Sequence, residues 1–79
     1  MPKLPQVSGR EVIKALNKIG FEKVSKKGSH IKLSRTKKDL TQIIIVPDHT
    51  LIKKGTLRNG ILKPISLSVE EFINLLKKK

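Results

Sequence analysis

The sequence predicts a small α+β domain with elements in the order α-β-β-β-α-α, and three observations carry that expectation. A capped amphipathic helix opens the chain, three segments with a two-residue rhythm follow with turn residues between them, and the last third returns to helical spacing. The parity of the apolar residues in the middle strand further predicts a three-stranded antiparallel sheet. The first and last helices should cover one of its faces, with His30 on the other.

The opening helix runs over Ser8-Gly9-Arg10-Glu11-Val12-Ile13-Lys14-Ala15-Leu16-Asn17-Lys18-Ile19-Gly20. Ser8 and Glu11 have capping-box spacing: the hydroxyl accepts from the Glu11 amide, and the carboxylate reaches back to the Ser8 amide. Val12, Leu16 and Ile19, with Ile13 beside them, share one face, while Arg10, Lys14 and Lys18 fall elsewhere. Gly20 stands where a left-handed residue closes a helix, and Phe21 can fold back on the last turn.

Phe21 to Ser25 reads as the first strand, Lys26-Lys27-Gly28 as its turn, and Ser29 to Arg35 as the returning strand. Ile31 and Leu33 point one way, so His30, Lys32 and Ser34 share the opposite face. Arg35-Thr36-Lys37-Lys38-Asp39 reads as a polar hairpin tip. Thr41 to Val46 follows as the third strand, whose β-branched run Ile43-Ile44-Ile45-Val46 suits a central position buried on both faces. Pro47-Asp48 ends it. Leu57, Ile61 and Leu62 then recur at helical spacing, and Ser68-Val69-Glu70-Glu71 opens a second capping box. The last helix carries Val69, Phe72, Ile73, Leu75 and Leu76 as its apolar part, and Lys77, Lys78 and Lys79 suit the negative end of its dipole.

At 79 residues the chain has room for one domain, residues 1–79, and one modest core. Ile, Leu, Val and Phe make up about a third of it, well above the level of disordered chains. No apolar run approaches the ~20 residues of a membrane span. Met1-Pro2-Lys3-Leu4-Pro5 lacks the hydrophobic stretch of a secretion signal. With no cysteine, disulfides and thiolate metal sites are excluded, and a cytoplasmic setting is expected. The charge is more telling: 18 Lys plus Arg oppose 6 Asp plus Glu, a formal +12. Such an excess repels itself on compaction and attracts polyanions at long range. Nucleic acid fits best. An anionic membrane comes second, because no long basic amphipathic helix is present.

The residues that could carry chemistry are few. Glu11, Glu70 and Glu71 are accounted for by helix starts, Asp39 and Asp48 add no metal cluster, and there is neither a phosphate-loop signature nor a His-Cys zinc pattern. No metal or other cofactor is expected. The two phenylalanines stand at core-like positions, so RNA would be held by Lys and Arg on phosphate and 2′-OH groups rather than on an aromatic platform. His30 follows a Gly-Ser pair within reach of Lys26, Lys27 and Lys32. It is either an ordinary exposed histidine beside a turn or a general acid/base acting on the RNA 2′-OH. His49, in Pro47-Asp48-His49-Thr50, is first a loop residue and second a supporting RNA contact. Lys53-Lys54-Gly55-Thr56-Leu57-Arg58 is either a solvated basic turn or, with helix-start amides, a phosphate holder.

Four pieces in order resemble the HicA (YcfA-like) toxins of bacterial and archaeal toxin–antitoxin pairs. They are Leu16-Asn17-Lys18-Ile19-Gly20-Phe21, Lys27-Gly28-Ser29-His30, Val46-Pro47-Asp48-His49, and Lys54-Gly55-Thr56-Leu57-Arg58 with Ser68-Val69-Glu70-Glu71-Phe72. Each is short; together they are specific, and the resemblance runs from Ser8 to Leu76. It implies a double-stranded-RNA-binding-domain-like fold and an mRNA-cleaving endoribonuclease toxin, silenced by a HicB-type antitoxin that the charge of this chain leads one to expect acidic; a scheme on His30 requires no metal. It also implies that His30 is the catalytic residue, while His49 takes no firm role from it. RNA contacts are then expected from Lys26, Lys27, Ser29, Lys32, His49, Lys53, Lys54 and Arg58. One departure stands out: Arg58 to Leu67 is a residue longer than usual and contains Gly60 and Pro64, which should shorten or bend the second helix. The alternative to an enzyme is a non-catalytic RNA-binding module using the same basic face.

Overall fold

A computed structural model describes residues 4–77; Met1, Pro2 and Lys3, and Lys78 and Lys79 of the terminal basic run, lie outside the described residues. Helix α1 spans Gly9–Asn17. Strands β1 (Glu22–Lys27), β2 (His30–Lys37) and β3 (Leu40–Pro47) follow, and helix α2 spans Val69–Lys77. Between β3 and α2 lie a π-helical segment, Thr56–Leu62, and a 3-10 turn, Lys63–Ile65. The strands form one antiparallel sheet in the order β1-β2-β3. This is the α+β, double-stranded-RNA-binding-like architecture that the sequence predicts.

The ends of α1 are set by the residues that predict them. The Ser8 hydroxyl accepts from the Glu11 amide at 3.2 Å and the Glu11 carboxylate accepts from the Ser8 amide at 3.0 Å. At the other end Gly20 takes φ +101°, its amide bonds the Asn17 carbonyl, and the Phe21 amide bonds the Leu16 carbonyl. That pair of bonds is a Schellman closure, which needs a residue free to adopt positive φ. Ser68 and Glu71 repeat the reciprocal capping at the start of α2. Lys18 Nζ donates to the Leu75 carbonyl at 2.6 Å, setting a cation on the negative end of α2.

The core fills the space between the helices and one sheet face. Val12, Ala15 and Leu16 of α1 meet Phe21, Ile31 and Leu33 around β2, Ile44 and Val46 of β3, Leu57, Ile61, Leu62 and Ile65, and Phe72 of α2. Arg35 lies at the edge of this layer. Its guanidinium is 4.7 Å from the Phe21 ring centroid and donates to the Ile19 carbonyl at 3.1 Å and to the Gln42 side chain. Arg35 is a strand residue, as the reading of Ser29 to Arg35 expects, whereas Thr36 and Lys37, expected at the polar tip, extend β2 and leave Lys38-Asp39 as the turn; Lys26 and Lys27, expected in the first turn, likewise end β1.

Two further expectations are corrected. β3 is an edge strand, and β2 is the central one. Ile44 and Val46 are buried, but Ile43 and Ile45 are 53% and 45% exposed, so the β-branched run is covered on one face only. The second helix is not α-helical: Leu57, Ile61 and Leu62 recur at spacings of four and five and stay buried because the turn is widened, with the Lys63 amide on the Arg58 carbonyl. A wider turn takes up an extra residue without moving the apolar face. Pro64, which has no amide to give, lies in the 3-10 turn, and Ser66 ends it at φ +56°.

Candidate active site

The outer sheet face is built by parity around β2. Ile31 and Leu33 are buried, so His30, Lys32 and Ser34 turn away from the helices. His30 is the first residue of β2, directly after the Gly28-Ser29 loop. Gly28 takes φ +60° there, the conformation that favours glycine at the first position of a two-residue hairpin loop.

What stands beside His30 depends on a β-bulge in β1. The pairing shifts between Lys23, opposite Leu33, and Ser25, opposite Lys32, leaving Val24 as the extra residue. Beyond the shift Lys27 pairs with His30 and Lys26 with Ile31. Directly paired residues share a face, so the bulge turns Lys27 and Ser25 toward the His30 side. Lys26 instead reaches Asp48, its Nζ 3.1 Å from Oδ2 in a partly exposed pair worth at most about 1 kcal/mol. On the far side of β2, Ile45 pairs with Lys32. Ser25, Lys27, His30, Lys32 and Ile45 together line an open depression of about 550 Å³. Lys27 and Lys32 line it together with His30, and no carboxylate does.

The other expected site residues are distributed around this point. Ser29 lies in the hairpin loop, where its carbonyl accepts the Asp48 amide at 2.6 Å and ties the loop to the segment after β3. His49 is exposed and accepts the Gly9 amide on its carbonyl at 2.9 Å. It lines a second depression, of about 530 Å³, with Ser8, Arg10, Asp48 and Thr50. The two histidines therefore open into different hollows. Lys53, Lys54 and Arg58 are exposed around the start of the π-helical segment and line neither. Helical geometry begins at Lys54, and the Leu57 amide is already bonded to the Lys53 carbonyl, so Thr56 is not a free helix start.

Sequence reasoning missed Ser25 and Ile45 at the first depression and Arg10 at the second. Ser25 depends on the bulge, which has no residue signature in Val24. Ile45 was masked by a hydrophobic run that reads as buried. Arg10 depends on the packing of the first turn of α1 against the end of β3, where the Gly9 amide bonds the His49 carbonyl, a contact that local spacing does not signal. Among the described residues no group of three His, Cys, Asp or Glu could hold a metal ion, and no helix is long and apolar enough to cross a membrane.

Among curated proteins none matches the chain. Residues 9–64, however, match the model of a family described as the HicA toxin of bacterial toxin–antitoxin systems. The match takes in α1, the whole sheet with His30 and His49, and the π-helical segment; it stops at Pro64, so α2 lies beyond it although the resemblance read from the residues runs to Leu76. It spans well over half of the sequence, the glycine-serine-histidine hairpin included, and the chain accordingly belongs to the HicA family of toxins.

Proposed function

We propose that this toxin is an mRNA-cleaving endoribonuclease in which His30 acts on the RNA 2′-OH. One observation carries the reading: His30, exposed on the outward sheet face, shares an open depression with Lys27 and Lys32. The His30 imidazole takes the proton of the 2′-OH as O2′ attacks the adjacent phosphorus. The P–O5′ bond breaks, solvent at this open site protonates the departing O5′, and the products are a 2′,3′-cyclic phosphate and a 5′-OH. Lys27 and Lys32 offset the charge that gathers on the phosphoryl oxygens in the transition state. Lys53, Lys54 and Arg58, exposed around the start of the π-helical segment, serve as outer phosphate contacts, while Lys26, Ser29 and His49 support the hairpin and the segment after β3. The scheme uses no metal or other cofactor.

The direct test incubates the purified chain with end-labelled RNA in the presence of a chelator and analyses the new termini. Cleavage leaving 2′,3′-cyclic phosphates is expected. Intact RNA that nevertheless remains bound would transfer the case to the non-catalytic RNA-binding module. Binding itself should depend steeply on salt: for about four phosphate contacts to a single strand, log K should fall by roughly 3 per decade of salt concentration. An affinity flat between low and moderate salt would remove the +12 surface from consideration as the binding face.

A toxin of this family implies an antitoxin partner. We propose one of the HicB type, acidic where it meets this chain and covering the His30 face, so that the same lysines that attract RNA steer the inhibitor. The cytoplasm is the proposed site of action.

A further inference from the structure

The outer sheet face is not uniformly polar. Ile45, paired with Lys32, forms one wall of the His30 depression, and Ile43, paired with Ser34, continues the same face two residues along β3. Both are about half exposed, whereas their neighbours Ile44 and Val46 are buried. Val24, the extra residue of the bulge, is 58% exposed on the opposite edge. Aliphatic carbon in water beside a cationic depression is unfavourable unless something apolar covers it during function.

We infer that Ile45 and Ile43 form a seat for unpaired nucleobases next to the cleaved bond, an inference that rests on the ribonuclease reading of His30. A nucleotide presents an anionic phosphate joined through ribose to a flat apolar ring. The depression offers the matching pair: ammonium groups on Lys27 and Lys32 and an aliphatic wall on the adjacent strand, ~4.8 Å away in the sheet. Its volume of about 550 Å³ falls within the range of ~300–1,000 Å³ typical of small-ligand sites. A base taken out of its stack is held against apolar as well as aromatic side chains, so the lack of an exposed aromatic does not prevent base contact. In a duplex the ring faces are stacked inward and only edges and backbone are accessible. The seat therefore selects single-stranded RNA, although the fold resembles one that binds double strands.

The experiment uses the full chain carrying His30→Ala, so that RNA is not consumed, and compares it with the same chain carrying Ile43→Thr and Ile45→Thr as well. Threonine keeps the β-branched shape on an exposed strand position, and circular dichroism checks that the fold is retained. Affinities are measured by fluorescence anisotropy at one salt concentration. The probes are a short oligoadenylate, an abasic ribose-phosphate strand of equal length and charge, and the corresponding RNA duplex. The parent should bind oligoadenylate about ten-fold more tightly than the abasic strand. The threonine pair should abolish that preference with the abasic and duplex affinities unchanged. Equal binding of abasic and base-bearing strands by the parent overturns the inference. So does a preference that survives the substitutions, which would leave the strip as a contact for a protein partner. Failure of the ribonuclease reading shows up separately, as a wild-type chain that cuts no RNA, because the binding comparison needs no cleavage.

Discussion

His30→Ala is expected to slow RNA cleavage by on the order of 10²- to 10⁴-fold while RNA retention changes little. Imidazole can take up a proton near neutral pH, and a methyl group cannot. Binding survives because Lys27 and Lys32 remain on the same face and the basic segments around Lys53 and Arg58 are untouched. His30 is exposed at the start of an edge hairpin, so its loss leaves no cavity and the thermal midpoint should hardly move. That combination separates catalysis from folding. Cleavage and retention are measured on one labelled RNA, alongside growth of cells expressing each form. A variant that cuts RNA and arrests growth like the parent would end the catalytic assignment of His30, whatever the family.

A large stability effect is expected at Gly9, where Gly9→Ala should destabilise the chain by about 2–3 kcal/mol and lower Tm by roughly 10 °C or more. A Cβ built at Gly9 would lie 2.2 Å from the Pro47 carbonyl oxygen and 3.2 Å from the Asp48 Cα. The obstacle is backbone, so no side chain can swing aside. Helix propensity argues the other way, since alanine is favoured over glycine by about 1 kcal/mol within a helix, but a contact this short outweighs it. The consequence reaches the site. The Gly9 amide is bonded to the His49 carbonyl, and the Asp48 amide to the Ser29 carbonyl of the loop that precedes His30. Pushing α1 off the end of β3 should therefore also loosen the hairpin that presents His30. Thermal denaturation of the purified variant checks this; an unchanged or raised Tm would mean that the helix start is not packed on Pro47 as described.

Much of this was legible in the residues. Ser8 with Glu11, Gly20 with Phe21, and Ser68 with Glu71 define helix ends through hydrogen bonds spanning only a few residues, so local spacing suffices to predict them. The outward position of His30 and Lys32 likewise follows from alternation against Ile31 and Leu33, since a strand has only two faces. Gly60 and Pro64 predict a shortened or bent second helix, and Pro64 does lie in the 3-10 turn that ends it, but the widened π-helical turn had no signal in the residues.

The sequence by itself thus determined the order of elements, the capped ends of α1 and the start of α2, and which face of β2 carries His30, because each depends on neighbours a few positions apart. Which residues accompany His30 was left to the tertiary structure. Lys26 and Lys27 are adjacent and chemically alike, and only the bulge at Val24 sends one to Asp48 and the other to His30. The run from Ile43 to Val46 has the same composition whether its strand is central or at an edge. The packing of the helices on one face of the sheet decided that half of it faces water, because a strand is covered on both sides only when layers pack against both of its faces. Gly9, silent within the cap motif, is required by the close approach of Pro47, a contact between segments far apart in the chain that local spacing does not encode.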